Sequence, residues 1–508
     1  MREKETNRTM LEPASLFTDG AVLCRDREIP VFGRANRGDT VRVRLEDRHG
    51  GLLAEESAQA MDGRFEVLLP PQPAQTGCRL VIACGEEQTE ARDIAIGDVY
   101  LASGQSNMEL EVRYAQGGVA LIPDDPLLRF FNVPRKATVC EEQRQAIRET
   151  RWHAVDRETA AYNSAVASVF GTEMRRKHPE IPVGIIGCYW GGTSVTCWMD
   201  DDTLGTLTEG IRYKQEYEAR CGDKTMAQYL KEEAAFHQYC ENWDMKADQY
   251  RSAHPGAGWD EVMDVIGRLE WNPPAGPGSP FRPAGLAKSM LAEIAPAALT
   301  AALFYQGEED TYRTDQYDML LTAMIRYWRK IFRNAELPFL FVQLPMWVDY
   351  GAEDSYTWAK TRLAQAAVRD SVRNTDMVCL LDEGEYGNIH PVNKQPVGLR
   401  LAELASAMLY SGGECSPRAL GKYTEGSRMT VCLSAPIQTK DGKEANLLEI
   451  AGESGEYVPA KAEIRGNRLL LSAEGLDHPV RARYAWTDWS DQVNLVGLNG
   501  LPLEPFAI

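Results

Sequence analysis

Between residues 11 and 96, apolar and polar positions alternate: Arg42, Arg44 and Glu46 interleave with Val41, Val43 and Leu45. A period of two sends successive side chains to opposite faces of a strand. Asp62-Gly63 and Pro70-Pro71 cut the pattern into short runs, which predicts an N-terminal β-sandwich domain over 11–96. From residue 97 the period changes. Ser164 to Arg176 reads as a helix and Ile181 to Gly187 as a buried strand. The alternation resumes after residue 284, with helices predicted near Gln316 to Ile331 and Thr357 to Val372. Strands alternating with helices predict an α/β domain over 97–411, built on a parallel sheet covered on both faces.

A helical insertion, residues 201–283, interrupts that domain. Met226, Tyr229, Leu230, Phe236, Tyr239, Cys240 and Trp243 recur at helical spacing and form one apolar stripe. A second helix is predicted from Trp259 to Leu269, ended by the Pro- and Gly-rich stretch Asn272 to Gly278. The stripe is expected to pack the insertion onto the main domain. The alternative is that Trp243, Trp259 or Trp271 stacks on a sugar ring. After residue 412 short, turn-bounded strands return at Met429–Leu433, Leu447–Ala451, Leu469–Ser472 and Val480–Trp486, predicting a β-rich domain over 412–508.

Four apolar runs, Val99–Leu101, Val183–Ile186, Ala301–Phe304 and Val378–Leu381, each lead into a loop with chemical potential. The first enters Gly104-Gln105-Ser106-Asn107-Met108. The second enters Trp190-Gly191-Gly192-Thr193, the third Gln306-Gly307-Glu308, and the fourth Ile389-His390-Pro391. Loops at the carboxyl ends of parallel strands converge on one crevice. A serine becomes a useful nucleophile only when a base takes its proton, and a histidine titrates in the range that suits this task. Ser106, His390 and two donor-rich loops are the parts ester hydrolysis needs. Of the seven histidines His390 has the best loop context, and the others, His178 and His237 included, are expected to serve packing or surface.

These motifs, together with Lys394, resemble the sialate O-acetylesterase family, a branch of the SGNH-type (flavodoxin-like) hydrolases. The resemblance extends to Leu16–Gly33 and to Arg481–Phe506, with Tyr484, Trp486, Gly500-Leu501-Pro502 and Pro505-Phe506. It implies a flavodoxin-like hydrolase domain flanked by N- and C-terminal β-sandwich-like domains. It also implies removal of O-acetyl groups from sugars through an acyl-enzyme on Ser106, with His390 as general base.

By the same resemblance, the oxyanion would be held by the backbone N–H groups of Ser106 and Gly192 and by the side chain of Gln306. Many SGNH hydrolases place an Asp three residues before the histidine, and here that position is Gly387. The acidic partner of His390 is therefore left between Glu308 and Asp382, with a Ser–His dyad oriented by a backbone carbonyl as the third option. Asn107 and Arg313 are the candidate substrate contacts, Asn107 being placed also to tie adjacent loops. Arg313 or Arg400 could meet the carboxylate of a sialic acid. Glu309-Asp310 depart from the Ser-Asn usual after that Glu.

The formal charge of −19 argues against nucleic acid and against an anionic membrane surface as partners. It favours a neutral acetylated oligosaccharide over an anionic one. No apolar run approaches the length a membrane span needs. The polar opening Met1 to Arg8 lacks an apolar signal core, so a cytoplasmic location is expected. The 11 cysteines contain no CxxC pair and read as small buried hydrophobes, with Cys188 and Cys197 flanking the Gly191-Gly192 loop. Neither a metal nor another cofactor is expected. Two further readings stay open: a non-catalytic carbohydrate-binding protein on an esterase scaffold, motivated by Gly387 and Glu309-Asp310, and a thioesterase or lipid esterase, which would need a long apolar groove.

Overall fold

In a computed structural model of the chain, residues 10–138, 141–254 and 257–508 are described. The strand that organises the molecule is Glu87–Gly104, here β1. Between Glu87 and Asp93 only Ala91 is buried, whereas from Ile94 to Gly104 every residue is. The change follows the neighbours. The first part pairs antiparallel with Gln75–Cys84, in a region whose other sheet joins Leu11–Pro13, Ile29–Ala35 and Arg64–Leu69. The second part runs between two parallel strands inside the α/β sheet. The boundary expected between residues 96 and 97 thus falls inside one continuous strand.

The remaining strands of that sheet are β2 (Asp125–Asn132), β3 (His153–Val155), β4 (Val183–Tyr189), β5 (Ala301–Tyr305), β6 (Phe339–Val342) and β7 (Thr375–Val378). Their order is β3-β2-β4-β1-β5-β6-β7, all parallel except the antiparallel edge strand β3. The sheet is therefore mixed, where a purely parallel one was expected. Setting aside β2 and β3, the order is that of a flavodoxin-like sheet, with the switch in winding direction beside β1.

Helices cover the sheet where the apolar period predicted them. Ala165–Lys177 (α2) is capped by Ser164, whose Oγ accepts the Ala167 N–H at 3.1 Å. Tyr317–Ile331 (α6) buries Tyr317, Leu320, Leu321, Met324, Ile325 and Trp328, a run at i, i+3, i+4 spacing. The insertion folds as Thr208–Cys221 (α3), Met226–Ala253 (α4) and Trp259–Ile266 (α5). Gln395–Leu409 (α8) packs against α2. A four-residue turn of helix, Ser106–Glu109 (α1), follows β1 directly.

The C-terminal region contains two four-stranded antiparallel sheets and a two-stranded one. Its core, with Met429, Ile450, Leu469 and Tyr484, also includes Met346, Cys379 and Leu381 from the loops after β6 and β7. One buried carboxylate fastens the two regions. Asp488 accepts the N–H groups of Trp358 and Ala359 at 2.9 and 3.0 Å, and the Ser355 hydroxyl at 2.8 Å, at the start of Thr357–Ser371 (α7). A charged cap with several donors is worth more than an ordinary N-cap. Asp488→Ala is expected to lower stability by about 2 kcal/mol or more, with Asp488→Asn intermediate. Urea denaturation midpoints at an unchanged m-value check this.

Candidate active site

The site forms where β1, β4 and β5 end. Gly104 has a φ of +134° and lies so close to β5 that a Cβ would meet the Tyr305 carbonyl oxygen at 2.0 Å. Only glycine permits that approach. It lets the Gln105 N–H reach the Tyr305 carbonyl at 3.0 Å, while the Gly104 carbonyl accepts from Trp190 at 3.1 Å. The side-chain oxygen of Gln105 then accepts the N–H groups of Gly307 and Glu309 at 3.4 and 3.3 Å. Three loops separated by long stretches of sequence are so tied around Ser106.

His390 Nε2 lies 2.8 Å from Ser106 Oγ. The histidine comes from the loop after β7, where Glu385 braces the turn by accepting from the Asn388 side chain at 2.7 Å and the Val392 N–H at 2.9 Å. Asn388 Oδ1 in turn accepts the His390 N–H at 3.0 Å. Burial, and secondarily the charge of Lys394, push the imidazole down to about 4. At neutral pH it is uncharged and able to accept a proton. Among the described residues, no carboxylate or carbonyl bonds its Nδ1.

Two candidate carboxylates therefore do not reach the ring. Asp382 is held by Arg400 in a two-pronged pair at 2.7 and 2.8 Å and does not line the cavity. Glu308 stands nearer, but its Oε1 accepts from Asn107 Nδ2 at 2.6 Å and its Oε2 is buried without a partner. The same Asn107 nitrogen donates to the Ile389 carbonyl at 3.0 Å, and Asn107 Oδ1 accepts from the buried ammonium of Lys394. Asn107 is fully buried, so it ties the loops of Ser106, Glu308 and His390 and does not line the cavity. Burial pushes Glu308 up and Lys394 down to about 7, against the attraction between them.

The donor loops divide. The N–H groups of Ser106 and Gly192 have no protein partner among the described residues, and Gly191 packs beside Ser106, a Cβ on it falling 3.3 Å from Ser106 Cβ. Gly191 N–H donates to Glu109 Oε2 at 2.5 Å, which fixes the loop. Gln306, by contrast, is not available as a donor. Its amide gives both hydrogens to the Thr193 carbonyl (3.1 Å) and Asp310 (2.6 Å), and it does not line the cavity. Asp310 is the hub that sequence reasoning missed: it also accepts from Ser194 and Tyr213 hydroxyls at 2.6 Å each and from the Val195 N–H at 2.8 Å. Its place beside Glu308 in the chain carried no hint of partners more than 90 residues away.

The cavity beside Ser106 has a volume of about 640 Å³. The insertion builds one wall, with Phe236, His237, Trp243 and Trp271 among its lining residues. His237 is exposed on this wall, beside Phe236. Trp271 is 49% exposed and flanked by Phe236 and Phe281 at 5.4 and 6.0 Å between ring centres. Trp243 is mostly buried and donates to the Gly267 carbonyl at 2.9 Å, while the side chain of Trp259 lies outside the described residues. Arg313 does not line the cavity: it pairs with Glu209 at 2.9 Å and stacks on Tyr213. Cys188 and Cys197 are fully buried, which pushes both thiols up. Among the described residues no three His, Cys, Asp or Glu side chains converge as metal ligands, and no helix is long and apolar enough to cross a membrane.

A family model described as carbohydrate esterase, sialic acid-specific acetylesterase, matches residues 270–405, a span that includes Glu308 and His390. The chain is 23% identical to the sialate O-acetylesterase of Rattus norvegicus, over 94% of this chain and 90% of that protein. It is 22% identical to the sialate O-acetylesterase of Homo sapiens, over 94% and 88%. The crystal structure of a carbohydrate acetylesterase from Xanthomonas citri is similar with a TM-score of 0.75 and 25% identity, covering 98% of this chain and 99% of that one. The matched domain, the relatives aligned over nearly the whole chain and the shared fold make this chain similar to sialate O-acetylesterases and to a carbohydrate acetylesterase of known structure.

Proposed function

We propose that the protein removes O-acetyl groups from sugars as a serine esterase, with Ser106 as nucleophile and His390 as general base. The observation that carries this reading is the 2.8 Å contact between Ser106 Oγ and an uncharged His390. His390 Nε2 takes the hydroxyl proton as Oγ attacks the acetyl carbonyl. The negative oxygen that forms is met by the N–H groups of Ser106 and Gly192, each such donor lowering the barrier by about 3 kcal/mol. That oxygen also stabilises the imidazolium beside it, offsetting the burial that disfavours its charge.

Collapse breaks the bond to the sugar oxygen, which leaves with the proton from His390. Water then attacks acetyl-Ser106 with His390 again as base, and acetate departs. No side chain supplies a third member in this scheme, which works as a Ser–His dyad. The aromatic and carboxylate-lined cavity suits a sugar better than a long acyl chain.

A fluorophosphonate probe should label Ser106 and no other residue, read by peptide mass, and Ser106→Ala should release no acetate from 4-nitrophenyl acetate while keeping its circular dichroism. Retained turnover in that variant would sink the reading. The acid limb of kcat/KM is expected near pH 4, well below the ordinary histidine range. The same depression has a stability consequence: the unfolded chain takes the proton more readily than the folded one. The contribution is complete above about pH 6.5 and is lost as pH falls toward 4. A pH–rate profile beside a pH series of melting midpoints tests both.

A further inference from the structure

We propose that the site takes neutral acetylated glycosides, seating the sugar ring on Trp271, and discriminates against sugars that carry a carboxylate. The inference rests on the esterase reading above and names its substrate class. Trp271 stands over Gly192, whose N–H faces the reacting carbonyl in that reading. With Gly192 at a φ of +69°, a Cβ there would come within 2.8 Å of the indole. A half-exposed indole beside the acetyl position offers a flat apolar face to a pyranose ring.

The charges around this platform are one-sided. The cavity is lined by Glu109, Glu233, Asp244 and Asp349, and by Glu308 and Glu309, which burial pushes toward the neutral form, against a single guanidinium, Arg268. That guanidinium already pairs with Asp349 at 2.7 Å. The other cations that sequence offered for an anionic sugar are engaged elsewhere, Arg313 by Glu209 and Arg400 by Asp382. Lys394 is buried behind the serine loop against Asn107. Among the described lining residues, a sugar carboxylate finds no free positive partner and several like charges. Sugar hydroxyls find the opposite, since carboxylates accept hydrogen bonds from them. Burial and Asp310 push the Glu309 carboxyl up to about 8, so at neutral pH it can donate as well as accept.

The test compares acetate release by the full chain from four compounds: 4-nitrophenyl acetate, an acetylated methyl xyloside, 9-O-acetyl-N-acetylneuraminic acid, and the methyl ester of that acid. The xyloside is expected to exceed the free acid in kcat/KM by about tenfold or more, and esterification of the acid should recover at least about half of that gap on a logarithmic scale. Asp349→Asn, which releases Arg268 into the cavity, should raise the acid-to-ester ratio about threefold or more. A free acid turned over as well as its ester and the xyloside would overturn the inference and leave the esterase reading intact, as would turnover of 4-nitrophenyl acetate with no sugar. Absence of acetate from all four compounds would overturn both.

Discussion

His390→Ala is expected to lower kcat for acetate release by about 10⁴-fold or more. The variant removes the group that accepts the Ser106 proton and later returns it to the leaving sugar oxygen. Ser106 Oγ then faces the cavity without a base, because no other titratable side chain lies within hydrogen-bond distance of it among the described residues. Because the two residues act as a unit, the double variant with Ser106→Ala should be no slower than either single one. A His390→Ala enzyme that kept a tenth of the activity would show that the proton goes elsewhere. Folding should survive: the ring makes one side-chain hydrogen bond, so circular dichroism and melting provide a clean control.

The second large effect is expected at a residue that touches no substrate. Asn107→Ala removes the donor shared by Glu308 and the Ile389 carbonyl, together with the acceptor of Lys394. It leaves both oxygens of a buried carboxylate, and a buried ammonium, without hydrogen-bond partners. Such a change costs about 3 kcal/mol of stability. Loss of the Ile389 tether also frees the loop that carries His390, so kcat should fall about 100-fold with KM little changed. Removal of Lys394 by Lys394→Met should be less than additive with Asn107→Ala, because both break one network. Additive losses in stability would show that the three side chains do not act together.

The network also explains why an acidic triad member was hard to name from sequence. Glu308 sits in the loop where the motif puts it, yet its Oε1 is taken by Asn107 and no hydrogen bond joins it to the imidazole ring. Asp382 lies eight positions before His390, but Arg400, a full helical turn into α8, takes both its oxygens. Gln306 shows the same logic in reverse. Its motif position offered an oxyanion donor, and Asp310 with the Thr193 carbonyl consumed both hydrogens.

What the sequence determined by itself was whatever the chain encodes over a few neighbouring residues. The period of two before residue 96 and the helical runs over Ser164 to Arg176 and Gln316 to Ile331 are local patterns, and the elements formed where those patterns lay. The turn at Ser106 was legible for the same reason: an apolar strand running into small and polar residues is a local pattern. The tertiary structure alone decided which polar side chains are spent on one another. Asp310 with Tyr213, Arg313 with Glu209 and Asp488 with the start of α7 are partners about 100 or more positions apart. No periodicity relates such residues, because their contact depends on how the sheet winds and how the insertion packs. The aromatic wall belongs to this class as well: helical spacing built α4, but only packing against the Gly191-Gly192 loop turned Phe236 and Trp271 into part of a cavity.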